Sequence, residues 1–595
     1  MNGSGAVTRE QVCLQADGLT VHLERKQFAP LLWIQVRDWF SGNGAQAWLR
    51  APFEVMTAEG STAGHPRWKQ VGVDGLSWLI FVLMVPADHP LVRLWQAVDW
   101  ATINQVGQDC YSNSQRGQRA WAPAQLFALL VLLLVVPVCS ETALLRTVAI
   151  TPLYRWFCGF GVLSKLPDHS SLYTFRQRLG VERFEAILTW VVGHCLKRGL
   201  ISNELLFFDM MGVSASAHGW SPYERAVLLT QALIRYLELS QAGQTGPAPV
   251  WESLRHLAAE IALEVLDSKS LKKETTISQR VLKSLERWQP QPDLTKGEAV
   301  WERGLAEAVQ TVLAQELLAP PPDADEPARR HWLKQVALAL KAHLPHARGD
   351  LDARVGWVSN VVLKCGYWVG FLVDSLGQLI TAVQVVPLNE SQHTQLIPAL
   401  DSHQQRCEAY PHAVAADSAQ DYYSVHAALD RLQIEGHIAS RAHNSGGGGW
   451  GADHFTWNEA GQLLCPASYP LSPGKARASD GLIPHKATGP CATCRYQADC
   501  LPQGQQPAGP RLIYLDPAAH QRWQQNRLHC RTDAYKQAQV QRFVSEGLFG
   551  LARRLHGADK MPYRSLAMNH IAGVLLGIVM NLAVLARRGQ TITPE

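Results

Sequence analysis

Cysteine is scarce in this 595-residue chain: twelve residues, most of them alone in apolar contexts. That excludes a disulfide scaffold and points to a reducing compartment, where a clustered minority would bind metal instead. The N-terminus, Met1-Asn-Gly-Ser-Gly5, has none of the architecture of a signal peptide. Long apolar runs are lacking too. The run from Leu126 to Val138 is about thirteen residues, too short for a span of roughly 20. The run from Ile571 to Ala586 is longer, but it contains Asn581 and two glycines. Both read as buried core helices, and no membrane partner is expected. Strong net charge is absent as well: +4 with a pI of about 8.4 suits a nucleic-acid partner without requiring one. There is no Ser/His/Asp nucleophile signature. The glycine run 446–449 lacks the Lys-Ser/Thr and the following helix of a phosphate loop, so it reads as a linker. His393, His443 and His454 are scattered and read as loop residues.

What is present is the composition of an ordinary globular protein with large cores, 47% hydrophobic and 18% charged, long enough for several domains. Residues 1–87 form an N-terminal extension without an assignable role, mixed and Trp-rich, with a strand-like piece from Leu76 to Met84. From 88 to 200 the pattern is helical with clear caps: Ser140 before Glu141, Thr151 before Pro152, and Pro167-Asp168-His169-Ser170 opening a helix that stops at Gly180. In that last helix Leu172, Phe175 and Leu179 share one stripe, leaving Arg176 and Arg178 on other faces. Short capped helices ending in a basic one resemble a helix-turn-helix domain, so both arginines are candidate DNA contacts; a plain solvated helix face reads the same way.

Residues 220–348 are a second helical region, broken by linkers at 243–249 and 320–327 and without a chemistry-bearing cluster. It separates two parts of an α/β core, 201–219 and 349–445. The second part holds a β-hairpin over 366–386, a capped helix from Ser391 to about Leu400, a strand ending at Asp417, an amphipathic helix from Tyr422 to Leu432, and a short strand from Ile438 to Arg441. Residues 446–530 are Cys-rich, and 531–595 are helical. Residues 531–564 hold seven Lys/Arg against three acids, a local basic segment that includes Arg542, Arg553 and Arg554.

Three acids stand out. Asp209 closes the apolar run Leu205-Leu-Phe-Phe, Asp417 closes Ala413-Val-Ala-Ala, and Glu546 sits in a helical pattern. Strand-end carboxylates reach over a sheet edge, and with a helix glutamate facing them they could bind two divalent ions about 3.5–4 Å apart, as phosphodiester chemistry needs. Mg²⁺ or Mn²⁺ suits such a set, because oxygen ligands leave positions open for water and phosphate. Spacing alone is weak support, since any single acid could equally be a cap or a salt-bridge partner. In the Cys-rich stretch, Cys491-Ala-Thr-Cys494 is the tight half-site that tetrahedral Zn²⁺ favours, and Cys465 and Cys500 could complete it. His529 and Cys530 are substitute ligands, and four unpaired thiols are the alternative.

In order along the chain, the stretches Pro167–Leu179, Asp209–Ala217, Asp352–Gly356, Gly366–Asp374, Ala416-Asp417 and Glu546-Gly-Leu-Phe-Gly550 resemble those of bacterial insertion-sequence transposases of the DDE type. The resemblance implies an α/β, ribonuclease-H-like mixed sheet core, interrupted by a helical insertion and a Cys-rich insertion and preceded by an all-α domain that binds DNA ends. It also implies that Asp209, Asp417 and Glu546 are the catalytic triad holding two Mg²⁺ ions, and that the Cys-rich segment is a family feature. Arg542 and Arg553 would be the cationic DNA contacts flanking the glutamate. Gln539 and Met210 depart from the family pattern, which expects Tyr and a small residue there. The implied function is Mg²⁺-dependent cleavage at terminal inverted repeats and 3′-OH transfer to target DNA, in the bacterial cytoplasm at the nucleoid, by a dimer or larger assembly. A catalytically silent DNA-binding relative and a structure-specific nuclease of the same fold are the alternatives.

Overall fold

The computed structural model describes residues 11–16, 19–24, 52 and, from 75 to 589, all but 112–118, 139, 220–221, 241–256, 267–295, 316, 318–324, 360, 442–448, 478–480, 502–509 and two single positions within 257–266. The expected linker at 243–249, residues 320–324 of the one expected at 320–327, the glycines 446–448, His443 and most of the first 74 residues lie outside the described residues. β1 (Gln11–Ala16) and β2 (Leu19–Glu24) form an antiparallel pair.

The run expected as a strand near Leu76 is a helix, α1 (Gly75–Met84). An unbroken apolar run without two-residue alternation fits a buried helix as well as a strand, and its ten-residue length decides for the helix. Ser77, buried inside it, accepts a hydrogen bond from Val162 N at 2.8 Å. Five helices follow: α2 (Pro90–Gln96), α3 (Trp100–Gln108), α4 (Pro123–Val135), α5 (Glu141–Ile150) and α6 (Pro152–Phe157). They pack around stacked and edge-on aromatics, Trp95 against Trp100 and Trp156, Trp100 against Phe127 and Phe157. Ser140 Oγ accepts from Ala143 N, while Thr151 precedes α6 without a side-chain cap. α7 (His169–Lys197) opens at Asp168, whose carboxylate accepts from Ser171 N, and leaves helical geometry at Gly180 (φ 66, ψ 177). That is the expected stop, after which the chain re-enters the helix.

The main sheet has β3 (Leu205–Ser214) at its centre. After β3, a two-residue β4 (His218–Gly219) leads into the helical insertion, α8 (Pro222–Ser240), α9 (Lys296–Leu313) and α10 (Glu326–His343). These share a core of their own that includes Leu229, Leu233, Val309, Val336 and Leu340. The chain returns through β5 (Ala347–Arg348), which pairs antiparallel with β4. β6 (Arg354–Trp357), the long β7 (Leu363–Asp374) and β8 (Ile380–Pro387) follow, then α11 (Leu396–Cys407), β9 (Ala413–Ala416), α12 (Tyr423–Leu432) and β10 (Glu435–Ile438).

Side by side the strands run β10-β9-β3-β7-β8, with β6 extending the β8 edge along β7. β7 runs antiparallel to both β3 and β8, whereas β9 and β10 run parallel to β3. The strand expected from Ile438 ends there instead. Glu435-Gly-His-Ile438 supplies the pairing with β9, and its glycine and charged residue hid it from the apolar pattern. The helix expected from Ser391 starts as a 3₁₀ turn, Gln392–Thr394, before α11 proper.

The Cys-rich region folds around a small core of its own. β11 (Thr456–Trp457) pairs with β12 (Leu463–Leu464), and β13 (Leu471–Pro473), β14 (Ile483–Ala487) and, after the short α13 (Gln497–Cys500), β15 (Leu512–Leu515) form a small antiparallel sheet. Phe455, Leu463, Leu471, Ala487, Ile513 and Leu515 are its buried core. Three helices close the chain: α14 (Pro517–His529), α15 (Asp533–His556) and α16 (Leu566–Arg587).

α16 is long and apolar enough to cross a membrane, but 83% of its apolar window is buried in the protein. It lies with α7 on one face of the sheet, while α11 and α12 cover the other. Gly573 and Gly577 let it come close: a Cβ on Gly573 would stand 2.7 Å from Val385 Cγ2. Asn581, the polar break in the run, bonds both backbone groups of Ile380, each at 2.8 Å.

Candidate active site

Asp209 lies in the middle of β3, not at its end as the apolar run suggested. Its partner on the β7 side is Phe371. On the other side, however, pairing with β9 stops one residue earlier, at Phe208 with Ala416. β3 runs on alone past that point, and Asp417 directly follows Ala416. Parallel register therefore sets the two aspartates side by side where the two strands part. Asp417 caps the following 3₁₀ turn, accepting from Ala419 N at 3.0 Å, and Asp209 accepts from Met210 N at 2.8 Å.

α15 crosses this edge, its first turn capped by Thr532. Arg542 reaches from it to two acids: Nη1 lies 3.4 Å from Asp209 Oδ2 and Nη2 lies 3.1 Å from Glu546 Oε1. Glu546 is half exposed, whereas Asp209 and Arg542 are largely covered. Burial pushes the Asp209 carboxyl up to about 6, helped by the neighbouring Asp417 charge and opposed by the Met210 N–H and Arg542. Burial also raises Asp417, against the pull of the Ala419 N–H, Arg542 and Arg441. Half-buried carboxylates that resist ionising are the residue set a cation would stabilise.

One residue that sequence reasoning marked only as a departure has a clear place. Gln539, one turn before Arg542, accepts from Arg542 Nε at 3.0 Å through its Oε1. Its Nε2 donates to Ala416 O at 3.1 Å and to His437 O at 2.6 Å. It thus ties α15 to the strand ends at Asp417 and orients the arginine. Nothing in the residue type alone signals this role. Asp421, four residues past Asp417, was also missed: buried, it accepts from His426 Nε2 at 2.8 Å, Asn526 Nδ2 at 3.0 Å and Arg441 N at 2.7 Å, joining α14 to the core.

The other candidates divide. Arg178 is exposed on α7, its guanidinium 5.0 Å from the Tyr111 ring. Arg176 is not on a free face: it is 2% exposed, ion-paired with Glu141 and stacked 3.9 Å over Tyr563. A helical stripe three residues wide is broader than the Leu172-Phe175-Leu179 pattern implied, so Arg176 holds α5 and the segment before α16 together and is closed to DNA. Arg553 and Arg554 are exposed on the last turns of α15, Arg553 3.9 Å from Asp559. Cys465, Cys491, Cys494 and Cys500 are free thiols, and Cys465, Cys491 and Cys500 pack against the core of the small sheet. Burial raises the Cys500 thiol, and the charges of Cys491, Cys465 and Cys494 add to it, so the four are neighbours. Among the described residues, the ligand-type atoms that all lie within 4.8 Å of one another belong to a different set, Glu435, His437 and His529.

Two segments match known families. Residues 81–178 match a family described as a transposase domain (DUF772), and residues 464–586 match a transposase DDE domain. Both segments are thus similar to transposase domains. A helical segment first and a DDE segment last support an insertion-sequence transposase of the DDE type. Glu546, the three C-terminal arginines and the four cysteines fall in the second segment; Arg176 and Arg178 fall in the first. Asp209 and Asp417 lie between the two. No curated protein matches the chain.

Proposed function

We propose that Asp209, Asp417 and Glu546 form one active site that cuts the ends of a mobile element and joins them to target DNA. The observation that carries this reading is the Arg542 guanidinium paired with both Asp209 and Glu546, while strand register sets Asp417 beside Asp209, all from segments far apart in sequence. The strand order β8-β7-β3-β9-β10, with three antiparallel strands followed by two parallel ones, supports a ribonuclease-H-like core. In that core the first and second acids stand on adjacent parallel strands.

The residues fit a pair of Mg²⁺ or Mn²⁺ ions. All donors are oxygens, and Arg542 already supplies a positive charge where Asp209 and Glu546 face each other. When bound, such ions polarise the scissile phosphate and activate water or a 3′-hydroxyl. The chain's own part is to hold the acids ionised and aimed. Gln539 fixes Arg542 against the strand ends, beside the carboxylates that would hold the ions, where its guanidinium could also face a phosphate. Arg553, Arg554 and Arg178 neutralise backbone phosphates, positioning DNA without reading its sequence. The four cysteines, gathered around Cys500, would hold a structural zinc in the Cys-rich region.

The test uses labelled duplexes carrying the element's terminal repeats, with and without Mg²⁺. Asp209→Asn, Asp417→Asn and Glu546→Gln should each lower cleavage by at least about a thousandfold while end binding persists. Wild-type retardation without any nicked product would favour a silent DNA-binding relative. Cutting of branched DNA lacking the repeats would favour a structure-specific nuclease.

A further inference from the structure

The group Glu435, His437 and His529 stands apart from the three acids and from the cysteines. Glu435 and His437 are two residues apart on β10, so strand alternation puts both on one face. His529 comes from the last residue of α14, where helix carbonyls favour a cation. His437 is buried, His529 half-buried and Glu435 exposed. His437 Nδ1 and His529 Nε2 are 2.9 Å apart, and the Nε2 of each ring is 3.9 Å from Glu435 Oε1. Nitrogen and oxygen donors bonded tetrahedrally at 2.0–2.1 Å stand about 3.3 Å apart. Taken through one atom each, His529 Nε2 is 2.9 Å from His437 Nδ1 and 3.9 Å from Glu435 Oε1, separations that bracket the ligand set of a small dication.

We propose that Glu435, His437 and His529 bind a borderline transition-metal dication of the zinc class, stapling the end of the Cys-rich region to the β10 edge of the main sheet. Two imidazoles and one carboxylate select such an ion over Mg²⁺ or Ca²⁺, which prefer oxygen donors alone. Three protein ligands leave a fourth position for water. The alternative is a single proton shared between the two rings, which the metal would displace.

The staple's place gives it a consequence. His437 O is the acceptor of the Gln539 amide that also holds Ala416 O beside Asp417. α15, which carries Glu546, begins only a few residues after His529. A metal here fixes both the strand and the helix that the carboxylate site depends on, without joining its chemistry.

The test is metal stoichiometry on the full chain, stripped with a chelator and dialysed against Zn²⁺ with Mg²⁺ in excess to fill the carboxylate site. In a Cys491→Ser/Cys494→Ser background one zinc per chain is expected. Glu435→Gln and His529→Gln should each weaken it by at least about tenfold, since even losing a group behind a ligand costs 10–100-fold. Glu435 is exposed, so Glu435→Gln in the otherwise wild-type chain should also fold and lower the zinc count by one. Co²⁺ in the Ser background should give visible d–d bands without the sulfur charge-transfer band of a thiolate site. Zinc content and a zinc-dependent rise in Tm that both variants leave unchanged would overturn the proposal. So would a folded Ser-background chain that binds none.

Discussion

Arg542 joins two carboxylates that would otherwise repel across the site. Burial first, and the neighbouring Asp417 charge after it, raise the Asp209 carboxyl to about 6 from an ordinary 3.8. A folded state with the higher value binds more protons than the unfolded chain between those limits, so stability should fall as pH rises through that window. Above pH 6 the ionised Asp209 costs on the order of 2–3 kcal/mol in the metal-free protein. Asp209→Asn should therefore raise the Tm at pH 7 in the presence of a chelator, flatten the dependence between pH 4 and 6, and still abolish cleavage. Thermal melts across pH test the first two, and an unchanged Tm at pH 7 would count against a costly buried charge at Asp209.

Arg176 makes a contrasting case. Removing it leaves the largely covered Glu141 without its cation, so Arg176→Met should cost up to roughly 3–5 kcal/mol of stability. The salt dependence of DNA binding, measured on the folded fraction, should not change. The three acids were legible in the sequence because each closes or interrupts a recognisable pattern. Gln539, Asp421 and the burial of Arg176 were not, because a hydrogen-bonding role depends on which distant backbone arrives opposite, and a period of 3.6 residues does not say how wide the buried stripe is.

At the scale of elements, α16 and α15 use glycine in opposite ways. Gly→Ala in a helix ordinarily gains roughly 1 kcal/mol. Gly550 on α15 has nothing within 4 Å of an added Cβ, so Gly550→Ala should stabilise by about that amount. Gly573 faces Val385 at 2.7 Å, and overpacking there costs about 1–3 kcal/mol, enough to reverse the sign. Chemical denaturation of the two variants side by side checks the close approach of α16 to the sheet. Most helices and the β7–β8 hairpin could be read from caps, periodicity and turn residues. α1 could not, because a solid apolar run has no period to read. β10 could not either, because a four-residue strand containing Glu435, Gly436 and His437 owes its form to the neighbouring β9 and not to its composition.

On the whole molecule the net charge is small, so DNA binding should rest on local cations. Each phosphate neutralised contributes about 0.9 to the slope of log affinity against log salt. Arg553→Ala/Arg554→Ala should then lower that slope by up to roughly two on any duplex, specific or not, in binding titrations over a range of salt. A loss confined to the specific ends would instead mean that these residues read sequence.

The two-rung ladder of β4 and β5, with His218 opposite Arg348 and Gly219 opposite Ala347, ties the helical insertion shut at its base. In polymer terms this turns the insertion into a closed ring hung on the sheet. The entropy of closing such a ring grows only with the logarithm of its length, about 0.6 kcal/mol for each doubling. The pairing of β3 with β7 is therefore almost indifferent to how many residues the ring contains. Helices with their own core can settle inside it as a separate cooperative unit, and whole turns could be gained or lost there without moving Asp209 relative to Asp417.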